Sequence, residues 1–238
     1  TTRCRPEFET AIFEDLSWLG LAWETPVLRQ STRFDEYRAA LDRLDQKALL
    51  YPCFCTRAEI TAEVTRAVEA PHGPEGALYP GTCRHLDAAT RAAKISSGAP
   101  YALRLDAGKA AALVGSLTVD ELGVGPNGET GIITVNPHLF GDIVLARKET
   151  PASYHLAVVV DDAFQGVVLV TRGNDLFSAA HIQRVLQHLL SLPAPTYAHH
   201  KLILDPNGRK FSKRHSTVTL RNMRRHGVHV PRDVRTQL

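Results

Sequence analysis

Apolar residues recur at helical spacing through the first part of the chain. Phe8, Ala11, Ile12, Leu16 and Leu19 fall on one face, and Gly20 follows as a stop, so a helix is predicted over residues 8–21. Tyr37, Leu41 and Leu44 repeat the pattern over 34–49. Residues 57–69 read as a third helix and 88–94 as a short fourth. Residues 70–76 hold two prolines and two glycines, which predicts a loop. The pattern then changes. Residues 101–105, 117–119, 131–135 and 142–146 read as short strands broken by glycine and proline. Residues 154–160 and 167–171 are more strongly apolar, like buried strands of a sheet. Ile182, Val185, Leu186 and Leu189 predict a helix over 178–190. A strand at 202–204 would complete a strand-helix-strand unit. The order predicts a parallel α/β core interrupted by an insertion. Ligands of such sheets sit at the carboxyl ends of strands, where Arg172 and the basic run after residue 209 fall.

Composition narrows the class. The chain has 238 residues and 44% apolar content, enough for one large domain or a core with an insertion. No apolar run reaches the length of a membrane span. Four cysteines in a chain of this length do not make a disulfide framework, so the expectation is a cytoplasmic protein with no membrane partner. Net charge is only +3, but nine lysines and arginines and one acid, Asp233, follow residue 208. A basic end suits phosphate contact with RNA, and equally a solvated helix face.

Several groups are candidates for chemistry. Lys210-Phe211-Ser212-Lys213-Arg214-His215 follows an apolar run and a turn, and places positive charge where a polyphosphate could be clamped. A planar arginine such as Arg172 is the best bidentate partner for a substrate carboxylate, though a lone arginine at a strand end is commonly a surface residue. Tyr154 could line a pocket or pack in the core. Cys53, Cys55 and Cys83, with Tyr79, could supply a closed zinc site or be small buried side chains. His199-His200 reads as packing with local hydrogen bonds, and Asp161-Asp162 as the end of a strand rather than a magnesium site.

Taken in order, residues 154–162, 170–175 and 202–215 resemble the C-terminal half of the catalytic domain of the class I glutamyl-tRNA synthetase family. Lys210 to Arg214 is similar to that family's KMSKS loop, with Phe211 at the methionine position. Residues 1–23 resemble the stretch after the family's first strands, and residues 30–37 resemble a signature further on. The resemblance spans nearly the whole chain. Tyr51-Pro52-Cys53-Phe54-Cys55-Thr56-Arg57, with Tyr79-Pro80-Gly81-Thr82-Cys83-Arg84, is most similar to the truncated glutamyl-queuosine branch of the family. The resemblance implies a Rossmann-like class I synthetase α/β core with an inserted connective subdomain. It implies Lys213 as the catalytic lysine, with Lys210 and Ser212 beside it in ATP binding. It implies Tyr154 and Arg172 as glutamate-binding residues. Cys53, Cys55, Tyr79 and Cys83 would hold a structural zinc, and magnesium would accompany ATP. One departure is the long stretch 58–78 between the two halves of the zinc set.

The activity so implied is ATP-dependent activation of glutamate and its transfer to the queuosine base of tRNA(Asp). The partners would be ATP, L-glutamate and the tRNA(Asp) anticodon stem-loop. Two other readings remain open: a catalytic-domain fragment of a glutamyl-tRNA synthetase that charges the tRNA 3′ end, and a non-catalytic RNA- or nucleotide-binding piece. No segment here resembles the family's HIGH motif, and few residues follow the basic loop. The expectations are therefore no anticodon-binding domain, and little or no glutamate-dependent pyrophosphate exchange by this chain alone. The expected division is 1–50, the helical part of the core; 51–140, the connective, zinc-containing insertion; 141–205, the second half of the core; and 206–238, the KMSKS-like loop and basic end.

Overall fold

Pro6 at the first helical turn, with Glu7 and Glu9 beside it, suits a helix N-terminus, and α1 runs Pro6–Trp18. Trp23 turns back to stack on Phe13 at 5.5 Å between ring centroids, and Arg29 pairs with Glu9 at 2.6 Å. The structure is a computed structural model that describes residues 5–66, 72–74, 76–147, 151–202, 204 and 219–227. They divide into two units, Gln30–Lys201 and the paired segments Thr1–Arg29 and Leu202–Leu238.

Within Gln30–Lys201, helix α2 (Phe34–Asp45) turns Tyr37, Ala40, Leu41 and Leu44 inward. Strand β1 (Leu50–Cys53) follows, then α3 (Arg57–Arg66). Thr56 and Glu59 bond reciprocally at the start of α3, a capping box that the T-x-x-E spacing encodes. A small hairpin of β2 (His72–Gly73) and β3 (Gly76–Ala77) precedes α4 (Ala88–Ser96), which Asp87 caps. Strand β4 (Ala102–Leu105) leads into α5 (Ala107–Val114), capped by Asp106 and stopped at Gly115, whose φ of 58° favours glycine. Next come β5 (Thr118–Glu121), β6 (Gly131–Thr134) and β7 (Val144–Arg147). Helix α6 (Tyr154–Gln165), strand β8 (Leu169–Gly173), helix α7 (Ala179–Leu189) and strand β9 (Thr196–His200) complete the unit.

The larger strands form two sheets. β1, β4 and β7 pair antiparallel in the order β1-β4-β7. The other sheet has the order β6-β5-β9-β8, with β9 parallel to both β5 and β8, and β6 antiparallel at the edge. One apolar core joins both sheets to the helices through Leu44, Leu105, Leu145, Leu156, Leu186 and Tyr197. Arg43 and Lys47 donate to the Leu190 and Leu189 carbonyls, placing positive charge at the C-terminal end of α7. In the other unit, Thr219 caps a short helix α8 (Leu220–Arg225), and Arg224 of α8 pairs with Glu14 at 2.6 Å and Asp15 at 3.2 Å.

The structure corrects the sequence reading at several points. Residues 154–162, expected as a strand ending in two carboxylates, are helix α6. Ser153 caps its first turn, and Gly166 ends it in the left-handed region, so the cap and stop outweigh the β-branched run Val158-Val159-Val160. The strand paired with β8 is residues 196–200 rather than 202–204, which makes β8-α7-β9 the parallel unit. Strand β1 and helix α5 were not expected at all.

Candidate active site and metal centre

The cysteines converge because β1 ends on Cys53 and the chain then turns. Cys83 approaches from a 3-10 turn, Thr82–His85, entered through Gly81 at φ 89°. The three sulfurs of Cys53, Cys55 and Cys83 lie within 4.8 Å of one another, and Cys55 Sγ is 3.3 Å from Cys83 Sγ. A tetrahedral zinc with Zn–S bonds of about 2.3 Å sets sulfurs roughly 3.7 Å apart, a value that these spacings bracket. Tyr79 completes the group: its hydroxyl is 3.5 Å from Cys55 Sγ and accepts the Cys83 amide at 2.8 Å. The Phe54 amide donates to Cys83 Sγ at 3.3 Å.

The electrostatics differ between the two closest thiols. Burial pushes the Cys55 thiol up to about 12. Burial alone would raise Cys83 too, but hydrogen bonds from Tyr79 and the Phe54 amide outweigh it and hold that thiol below its usual value. Burial and the neighbouring thiols raise the Tyr79 phenol. A backbone N–H and a phenol hydroxyl directed at a thiol favour the thiolate, the form that binds metal. The three sulfurs therefore fit a metal ion, and the Tyr79 hydroxyl is the oxygen nearest to them for a fourth ligand.

Asp142 ties this cluster to the core. It accepts from Tyr51 Oη at 2.5 Å, from Arg84 at 3.1 Å and from the Ala107 amide at 2.9 Å. Arg104 lies 3.8 Å over the Tyr79 ring and donates to the Asp142 carbonyl. Tyr154, at the start of α6 and half exposed, opens onto the same region. A cavity of about 430 Å³ is lined by Tyr79, Arg104, Asp142, Arg147, Tyr154 and His155 among others. The structure thus brings Tyr154 to the edge of the cysteine region.

Arg172 lies elsewhere, on β8 opposite His199 of β9. Its Nε donates to His199 Nε2 at 2.9 Å and its Nη1 to Gln183 Oε1 at 2.7 Å. Nη2 is buried with no partner among the described residues, a donor left over for a ligand or water. The sequence reading left His199 as packing and did not single out Glu121 or Gln183. The signal for Glu121 was present: in β5 the alternation puts Val119 and Glu121 on the buried side. Asp161 is occupied by Arg33, Tyr37 and Gln30, which fits a structural role. Lys210, Ser212 and Lys213 lie outside the described residues. Of the basic end, Arg224 is engaged by Glu14 and Asp15, and Arg221 donates to the Glu7 carbonyl.

Comparison with known proteins matches residues 1–236 to the family described as tRNA synthetases class I (E and Q), catalytic domain. A protein of Rhodobacter capsulatus named glutamyl-Q tRNA(Asp) synthetase is 43% identical over 98% of this chain and 82% of its own length. One of the same name from Nocardia farcinica is 43% identical over 94% of the chain and 66% of its length. A glutamate–tRNA ligase of Aquifex aeolicus is 34% identical, and the chain covers 45% of it. The fold matches a glutamate–tRNA synthetase structure from Elizabethkingia anophelis with a TM-score of 0.69 at 24% identity, over 90% of this chain and 44% of that one. The chain belongs to the class I tRNA synthetase (E and Q) catalytic-domain family.

Proposed function

We propose that this chain supplies the catalytic core of an enzyme that activates glutamate with ATP and transfers it to the queuosine base of tRNA(Asp). The observation that carries this reading is the 43% identity, over 98% of the chain, to a relative named for that activity. In the first step a glutamate carboxylate attacks the α-phosphorus of ATP, and pyrophosphate leaves. In the second, a hydroxyl of the acceptor base attacks the activated carboxyl, and AMP leaves. Both steps need position and charge stabilisation more than covalent help. Arg172 would bind a substrate carboxylate through Nη2, and Tyr154, at the start of α6, would be a second glutamate-binding residue. Lys213, with Lys210 and Ser212, would hold the phosphates. Magnesium bound with ATP would offset phosphate charge. Zinc on Cys53, Cys55, Cys83 and Tyr79 would be structural, fixing the turn that carries Tyr79 against Arg104. The tRNA(Asp) anticodon stem-loop would be the RNA partner, and residues 51–140 would act as the connective insertion.

Glutamate-dependent exchange of pyrophosphate into ATP by the full-length protein tests the first step. Exchange with glutamate but not aspartate supports the reading. Exchange indifferent to the amino acid would reject it.

A further inference from the structure

The side chains of Glu121 and His199 are 1% and 0% exposed, and the proposed chemistry does not use them directly. A buried carboxylate needs donors on both oxygens. Glu121 Oε1 accepts the amides of Gly123 and His199, each at 2.8 Å. Oε2 lies 2.6 Å from His199 Nδ1. An ionised carboxylate only accepts, so Nδ1 carries the proton and Nε2 of the neutral ring becomes an acceptor. Arg172 Nε donates to that Nε2. The backbone leaves little slack: a Cβ on Gly123 would sit 2.2 Å from the His199 carbonyl oxygen. Aromatic packing holds the ring as well, with Tyr197 stacked at 6.0 Å and Phe177 edge-on at 5.1 Å. The Arg172 guanidinium lies 5.0 Å over Tyr197 and gives Nη1 to Gln183. It is thus fixed at Nε and Nη1, with Nη2 left unpartnered.

We propose that Glu121 and His199 are positioning residues for glutamate binding. Glu121 fixes the tautomer of His199, and His199 Nε2 then holds the Arg172 guanidinium so that Nη2 remains free for the substrate carboxylate. This rests on the reading of Arg172 as a glutamate-binding residue. Glu121→Gln isolates the device. The amide still accepts from the two backbone N–H groups, but its NH₂ donates to Nδ1 and drives the proton to Nε2. Two donors then face each other, Nε2–H and Arg172 Nε–H, and the guanidinium loses its hold. A purely structural role would lower stability without this selectivity.

The test is pyrophosphate exchange by the full-length protein, with KM measured separately for glutamate and ATP. Glu121→Gln should raise the glutamate KM about tenfold, the scale of one lost hydrogen bond, and leave the ATP KM and kcat within roughly twofold. Imidazole ¹⁵N shifts of wild-type His199 should show protonated Nδ1 and bare Nε2 at neutral pH, a measurement that needs neither substrate nor a folded variant. An unchanged glutamate KM, parallel losses for both substrates, or an Nε2-protonated ring in the wild type would each overturn the proposal. Wild-type exchange with an unchanged variant overturns this inference alone. Wild-type protein without glutamate-dependent exchange overturns the proposed function, and this inference with it.

Discussion

Replacing Asp161 by alanine should be among the most destabilising single changes in the unit Gln30–Lys201. Its carboxylate, 6% exposed, pairs with Arg33 Nε at 2.7 Å and accepts from Tyr37 Oη at 2.6 Å and Gln30 Nε2 at 3.2 Å. Arg33 is itself 7% exposed and lies 4.1 Å over the Phe164 ring. Removing the carboxylate leaves a buried phenol without its acceptor and a buried guanidinium with only the half-exposed Glu36 carboxylate, at 3.4 Å. Breaking a buried ion pair from one side costs about 3–5 kcal/mol. Tyr37→Phe removes one hydrogen bond to a charged group and leaves the ion pair, which should cost roughly 1.5–3 kcal/mol. Both tryptophans, Trp18 and Trp23, lie outside this unit, so urea unfolding is best followed by far-UV circular dichroism. The ranking is the test: Asp161→Ala should lose more than Tyr37→Phe. An Asp161→Ala protein within about 1 kcal/mol of wild type, on the scale of an exposed pair, would refute the view that this carboxylate binds α2 to α6.

Three further outcomes follow from the same structure. Protein purified without chelators should hold about one zinc per chain, and Cys55→Ser should release it and lower thermal stability; metal analysis that finds none would return the cysteines to a packing role. His199 and His181 both titrate below the usual histidine value, chiefly through burial, so the unfolded chain takes up protons first as pH falls. Their contribution to stability is complete above about pH 6.5 and lost on acidification below it, and urea midpoints that do not fall between roughly pH 7.5 and 5.5 would contradict this. Lys213→Ala should abolish glutamate activation while circular dichroism stays unchanged, and exchange at the wild-type rate would remove Lys213 from the phosphate site.

Much of the helical framework was legible because amphipathic spacing survives in α2 and α7. Helix α6 was misread for a physical reason. Its run of valines suits a buried strand, and what decides otherwise is the cap at Ser153, the stop at Gly166 and the anchoring of Asp161 by residues far away in sequence. Helix α5 was missed because its alanines carry little periodic contrast. The convergence of Cys53, Cys55 and Cys83 was suggested by type and spacing, but their distances depend on a turn that pattern cannot show. The link from Glu121 through His199 to Arg172 was not legible, because it spans three strands whose adjacency appears only in the sheet order β5-β9-β8.

The most direct measurement of the central claim is transfer of radiolabelled glutamate by the full-length protein to three RNAs: tRNA(Asp) with queuosine, the same tRNA without it, and tRNA(Glu). The account predicts label on the queuosine-bearing tRNA(Asp) alone. Efficient labelling of tRNA(Glu), or labelling of tRNA(Asp) regardless of queuosine, would contradict it.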